Sequence, residues 1–417
     1  MKTAPRFLLP LVFLAALALL TLLYLGGAEP HLRSFLGAYL VHFDLPPFGD
    51  AHGITSAMAC ERQGIETYLG NPCHYKQVGF VYPPIWKLLS LLPIDGSWTV
   101  AFALTFIAAF TLALAFVPLG ESRRGWMLAV LAVLSPASLM AADYGNNDML
   151  IFAVVVGAIV ALGKSSRGQA LGYGLIMLAG LLKYFPFAAL GWAGAQQPRQ
   201  AALVGALLAL VLIVFVALAG QQLPLSLASM VTMSAGSYVF GITNLPIMAT
   251  EMGLAGPRAA LLLRLVLSLA VLAAAWRRSA RFARLDLSSE ISEPQWRFLI
   301  IGALVVVGAY FGNQNLDYRM IFLLLVLPGL DALRRVPGEH FGPVAVIAVA
   351  LMYFFPLRMA LEGWFAPGSD GLFLVSVADI MIREALWFAL AVTLLALVFT
   401  HLRSGPIWQR IAAPRAN

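Results

Sequence analysis

The chain has 417 residues, of which 61% are hydrophobic and only 11% charged, with a mean hydropathy of +0.85 and a formal net charge of +7. That composition excludes an ordinary soluble globular domain and describes an all-α, polytopic membrane protein. The positive charge is not a nucleic-acid footprint, because the basic residues sort by loop and do not gather in one patch.

Read in chain order, the apolar runs predict about twelve transmembrane helices, at 7–26, 97–118, 125–141, 150–163, 170–182, 184–195, 201–220, 258–276, 297–311, 319–332, 341–357 and 385–402. The first run exceeds the apolar core of a signal peptide. It lacks an Ala-x-Ala cleavage site, although Gly26-Gly27-Ala28 is small, so it reads as a retained helix. Residues 85–93 are too short to span and read as an interfacial segment. Pro186 breaks the helical pattern at Lys183-Tyr184-Phe185-Pro186. No repeat, heptad or separate soluble domain is evident, so residues 1–417 form a single membrane domain.

With the N-terminus placed in the cytoplasm, seventeen of the 27 Lys and Arg residues fall in cytoplasmic segments, among them Arg123, Arg124, Arg277, Arg278, Arg281, Arg334 and Arg335. The remaining ten include Arg33, Arg62, Lys183, Arg264 and Arg319. This asymmetry and the even span count put both termini in the cytoplasm. The long loop 27–84 then faces the exoplasmic side, which for a bacterial inner membrane is the periplasm.

That loop is the most polar stretch before residue 100. It carries Asp44, Asp50, His42, His52, Glu61, Glu66, His74 and both cysteines. In an oxidising compartment Cys60 and Cys73 are expected to form a disulfide, with two free thiols as the alternative. The same side collects Asp143-Tyr144-Gly145-Asn146-Asn147-Asp148, residues 221–256 and Asn313-Gln314-Asn315-Leu316-Asp317-Tyr318-Arg319. Elaborate loops on one face with short basic turns on the other predict a sided active site.

Asp50 opens a predicted helix through residue 63, where it serves either as a helix-capping acid or as a general base for an incoming hydroxyl. Asp44 is the rival base, although Leu45-Pro46-Pro47 marks it as a turn acid. The histidines match no metal-ligand spacing, so no metal is expected. His52 is instead predicted to line the site or bond the backbone. Lys183, Arg264 and Arg319 are the cations nearest the membrane interior and could neutralise a lipid-linked phosphate; snorkelling, or an Asp317–Arg319 ion pair, is the plainer alternative. Asn146, Asn147 and Asp148 could bond sugar hydroxyls or form a polar turn. Tyr82, in the corner Tyr82-Pro83-Pro84, is a further substrate-binding candidate, though that corner also suits the start of a helix with Pro in its first turn.

These motifs, in this order and on this side, resemble the GT-C superfamily of integral-membrane glycosyltransferases, and within it glycosyltransferase family 87, the polyprenyl-phosphate-mannose-dependent mannosyltransferases. The resemblance rests on Asp50, Gly64-Ile65-Glu66-Thr67-Tyr68, Tyr82-Pro83-Pro84, Gly145-Asn146-Asn147-Asp148 and Lys183-Tyr184-Phe185-Pro186. The family's Gly-Gln-x-Asn element is only loosely matched, its Asn-Gln-Ser-Leu-like segment is echoed by Thr243-Asn244-Leu245-Pro246, and Asn313–Arg319 has no counterpart. The resemblance implies a GT-C helical bundle and a polyprenyl-phosphate sugar donor, with a glycan or glycolipid acceptor. It also implies inversion by a single displacement, Asp50 as base, and neither cofactor nor metal. The competing readings are a flippase or transporter of a lipid-linked sugar, and a lipid-linked glycan polymerase or ligase. A transporter would spread polar residues through its helices, and a ligase would carry its large loop late in the chain.

Overall fold

The computed structural model describes residues 6–26, 47–120, 122–229, 233–235, 238–285, 287–354, 357 and 370–412. His42, Asp44, Arg33 and Arg358 lie outside the described residues. Helix α1 (Leu8–Leu25) is followed by α2 (Gly49–Arg62), which carries Asp50 in its first turn. A 3-10 helix, Pro84–Leu91, starts with proline in its first turn, where no amide donor is needed. Next come α3 (Thr99–Leu114) and α4 (Arg123–Val133). Pro136 interrupts the apolar run after α4, and α5 (Pro136–Asp143) restarts with Ser135 capping the amide of Ser138.

Helices α6 (Asp148–Leu162) and α7 (Ser166–Lys183) pack tightly on each other, and a 3-10 stretch, Phe185–Ala195, follows. Then come α8 (Pro198–Ala219), α9 (Gln222–Ala228), α10 (Asn244–Glu251) and α11 (Pro257–Phe282). Helix α12 (Glu293–Gly312) opens on a Ser292–Gln295 capping box. A 3-10 helix, Asp317–Leu325, leads into α13 (Leu327–Ala332), α14 (Phe341–Leu351) and the long α15 (Asp370–Ser404). Strands β1 (Val239–Phe240) and β2 (Asn315–Leu316) form one short antiparallel pair that ties the segment before α10 to the segment after α12.

The protein is thus an all-α polytopic membrane protein. Among the described residues, seven segments are long and apolar enough to cross a bilayer: Leu8–Leu25, Gly96–Leu114, Arg123–Asp143, Pro198–Ala219, Pro257–Phe282, Glu293–Gly312 and Leu374–Ser404. The other runs read as spans are helical too, but short or broken, except 170–182, which lies in the unbroken 18-residue α7 (Ser166–Lys183), a helix too polar at its ends to count among the seven. Tyr184 adopts φ 57 just before Pro186, which ends α7 and leaves a 3-10 stretch behind it. The run at 319–332 divides at Pro328. Residues Met320 to Leu325 are buried to 1% exposure or less, so their backbone is satisfied inside the protein without having to span lipid. By contrast α8 is almost entirely on the outside, with 6% of its apolar window buried, as expected of a lipid-facing helix.

The first polar loop is stapled in two ways. Cys60 of α2 is disulfide-bonded to Cys73. Lys87, only 7% exposed, is gripped by Glu61 at 2.6 Å and Glu66 at 2.9 Å, which fastens the loop to the 3-10 helix Pro84–Leu91. Those two glutamates are therefore scaffold acids of the loop.

Candidate active site

The site begins where three chain segments meet end to end. Helix α5 finishes in a Schellman turn: the amide of Gly145 donates to Ala142 and that of Asn146 to Ala141. Gly145 takes φ +57, and a Cβ there would come within 2.7 Å of the Ala103 side chain and 3.0 Å of that of Phe48. Only glycine satisfies both the turn and the packing against α2 and α3. The free amides of Asp50 and Ala51 at the start of α2 then donate to the carbonyl of Tyr144 at the end of α5. Asp50 is held directly over the turn 145–148.

Its carboxylate is not spent on capping α2, which has no side-chain cap. It accepts a hydrogen bond of 2.5 Å from Nδ2 of Asn146, while Oδ1 of Asn146 accepts the amide of Asp148 at 2.7 Å. Burial raises the Asp50 carboxyl above the ordinary carboxylate range, and the Asn146 hydrogen bond and the positive charge of Lys183 partly offset that rise. Such a group suits proton abstraction better than a solvated aspartate. Tyr82 donates its hydroxyl to the backbone carbonyl of Asp50 at 3.3 Å.

Lys183 and Arg319 converge on Asp148, whose side chain is wholly buried. The Lys183 ammonium lies 3.4 Å from Oδ1 and Nε of Arg319 lies 3.1 Å from Oδ2. Lys183 also donates to Oδ1 of Asn147 at 2.7 Å and sits 5.2 Å from the Tyr82 ring centre. Arg319 donates to Oδ1 of Asn315 and stacks over Phe185. Its acidic partner is Asp148, 171 residues away, and not the nearby Asp317. The β1–β2 pair and the Tyr238 carbonyl, which accepts the Asp317 amide, fix the turn that presents Arg319.

Asp50, Lys183, Arg319, Tyr82, Tyr318 and Arg264 line one cavity of about 1020 Å³. Arg264 stands at the α12 end of that cavity, where its guanidinium donates to the carbonyls of Phe311 and Gly312. Asn146 and Asn147 are fully buried and stand one layer behind the wall, holding Asp50 and Lys183. His52 also lies outside the lining. Its Nδ1 is 3.1 Å from the Thr99 hydroxyl and its ring packs beside His74 and Tyr75. His74 does line the cavity; burial and the adjacent His52 push it down to about 4, and its Nδ1 accepts the Lys76 amide as a neutral ring does. Among the described residues no three metal-ligating side chains converge.

Sequence reasoning grouped Asp148 with Asn146 and Asn147 as a sugar-hydroxyl or turn residue, whereas the structure buries it behind the wall as the partner of both cations. It assigned no role to Asn315, although that residue lies inside a polar motif it singled out. An acid opening an otherwise apolar helix was the available signal for Asp148. The Gln314–Asn244–Glu384 chain, with bonds of 3.1 and 2.9 Å, braces the same turn from behind and joins residues far apart in sequence.

The family model of glycosyltransferase family 87 matches residues 80–310, taking in Tyr82, the turn 145–148, Lys183 and Arg264 and leaving Asp50 and Arg319 outside. No curated protein and no solved structure matches the chain.

Proposed function

Since the chain belongs to glycosyltransferase family 87, and so is a membrane glycosyltransferase, we propose that it moves a hexose or pentose, such as mannose, from a polyprenyl-phosphate donor to a glycan or glycolipid acceptor. The observation that carries this reading is the placement of one buried carboxylate, Asp50, and two cations, Lys183 and Arg319, around a single cavity. Phosphate needs charged donors, and a hydroxyl nucleophile needs a base; the cavity supplies both.

In this mechanism the donor's phosphodiester rests against Lys183 and Arg319 with its lipid chain in the bilayer. The acceptor hydroxyl transfers its proton to Asp50 as its oxygen bonds to the anomeric carbon. The bond from that carbon to the phosphate oxygen breaks, and its electron pair leaves with polyprenyl phosphate. The leaving group departs as an anion stabilised by the two cations, so no general acid is required. A single displacement inverts the anomeric centre. The distribution of basic residues in the sequence supports reading this end of the bundle as the periplasmic side of a bacterial inner membrane, with both termini in the cytoplasm.

The test is transfer by the purified protein in nanodiscs, with a panel of radiolabelled polyprenyl-phosphate sugars offered beside nucleotide sugars and a membrane lipid extract as acceptor. Label is expected to move from one of the lipid donors. Transfer from a nucleotide sugar alone would refute the donor assignment.

A further inference from the structure

Asp148 has no part in the bond changes just described, yet it is the most completely enclosed charged group at the site. Its side chain is 0% exposed and does not line the cavity, whereas Lys183 and Arg319, at 11% and 15%, do. The donor count shows what it leaves available. Lys183 has three N–H groups, and Asn147 and Asp148 hold two of its directions. Arg319 commits Nε to Asp148 and Nη1 to Asn315, which leaves its second terminal nitrogen free. The clamp thus offers the cavity one N–H of Lys183 and the uncommitted N–H groups of the Arg319 guanidinium, while a single carboxylate behind them reduces two positive charges to a net of one.

We infer that Asp148 is a positioning residue that sets the charge of this clamp, so that it holds a phosphodiester and does not retain a phosphomonoester dianion. The inference rests on the lipid-phosphate reading above. A diester carries one negative charge and matches the clamp. The leaving monoester carries close to two at neutral pH, its second ionisation falling at about 6. During transfer the extra charge on phosphate is balanced by the proton taken up by Asp50. Once Asp50 loses that proton, the dianion faces the Asp50 and Asp148 carboxylates with Lys183 and Arg319 between them, the Arg264 guanidinium being turned to the carbonyls of Phe311 and Gly312, and release is favoured. Without the Asp148 charge the clamp would carry two uncompensated positive charges, and the monoester would become its best-matched ligand.

Binding of decyl phosphate and of methyl decyl phosphate tests this without turnover, using the full-length protein in detergent at pH 5 and pH 8. The two probes share a chain and differ in one ionisation. Asp50, His74, Tyr82, Tyr318 and Arg264 also face the cavity beside Lys183. A change in any of their charges acts more strongly on the dianion than on the monoanion, so the comparison of the unaltered protein with Asp148→Asn at one pH is what isolates the Asp148 charge. For the unaltered protein the monoester should weaken about tenfold relative to the diester between pH 5 and pH 8. In Asp148→Asn at pH 8 the ratio should reverse, with the monoester about tenfold the tighter. A purely structural role would weaken both probes alike. A ratio indifferent to pH in the unaltered protein overturns the inference without any variant having to fold, as does an unchanged ratio in Asp148→Asn. If neither ester binds, or Lys183→Gln leaves binding intact, the lipid-phosphate reading itself fails and the inference with it. If both bind through Lys183 and the ratio stays fixed, only the role of Asp148 is lost.

Discussion

The side-chain amide of Asn146 donates to the carboxylate of Asp50 across 96 residues of sequence, and its own oxygen accepts the amide of Asp148. One neutral side chain thereby fixes the rotamer of the proposed base and ties it to the start of α6, where the two cavity cations are anchored. A hydrogen bond to the ionised form lowers a carboxyl pKa, so Asn146 counteracts part of the effect of burial on Asp50.

Replacing Asn146 with Ala removes that donor, and the Asp50 carboxyl should then titrate at still higher pH. The acidic limb of kcat/KM is expected to move to higher pH, and stability to fall by about 1–3 kcal/mol because buried polar groups lose their partner. A pH–rate profile of the variant, with its melting curve, checks both. A limb that stays in place would detach Asn146 from the titration of the base.

For the unaltered enzyme the sign is fixed by Asp50 needing to be ionised. Activity should fall as pH drops through its pKa, and that fall should come at higher pH than for an ordinary aspartate near ~4, since burial raises the group. His74, pushed down to about 4, stays neutral over that range and does not supply the limb. The Asp50→Asn profile separates the two: any residual activity should be flat across the limb.

Lys183→Met should lower transfer by about 10²–10³-fold, the scale of losing one preorganised donor to a developing anion. Arg319→Lys should be nearly as damaging, because lysine keeps the charge but cannot reach both Asp148 and Asn315 as the guanidinium does. Arg264→Gln is expected to cost less than about tenfold, its guanidinium being occupied with the carbonyls of Phe311 and Gly312. Steady-state transfer rates rank the three, and Arg264→Gln proving the most damaging would contradict the clamp as drawn.

The Cys60–Cys73 disulfide fastens the segment carrying His74, Phe80 and Tyr82 to α2. Replacing both cysteines with Ser should destabilise the protein by about 2–4 kcal/mol and make melting insensitive to reductant. Intact-mass analysis after alkylation should find no free thiol in the unaltered protein.

Much of this was readable from residue type and order. The apolar runs marked the helices, Pro186 marked a break, and Tyr82-Pro83-Pro84 marked the 3-10 start, whereas the run 125–141 was read through Pro136 as one helix and the structure divides it there. Span length was not readable at 319–332, because an apolar run looks the same whether it crosses lipid or is wrapped by other helices. The cations facing the cavity were legible as charges near apolar ends. Their common partner was not, since Asp148 meets Arg319 across 171 residues and only the tertiary fold brings them together. Asn146 and Asn147 were legible as functional polar residues, but whether their amides point at a ligand or at Asp50 and Lys183 depends on the φ +57 turn at Gly145.

The most direct measurement is single-turnover transfer from a radiolabelled polyprenyl-phosphate sugar by the purified protein and by Asp50→Asn, with donor binding followed in the same samples. The variant should bind the donor as the unaltered protein does, melt at a similar temperature, and transfer label about 10²–10⁴-fold more slowly. Transfer at an undiminished rate by Asp50→Asn would contradict the assignment of the base, and with it the account of how this cavity works.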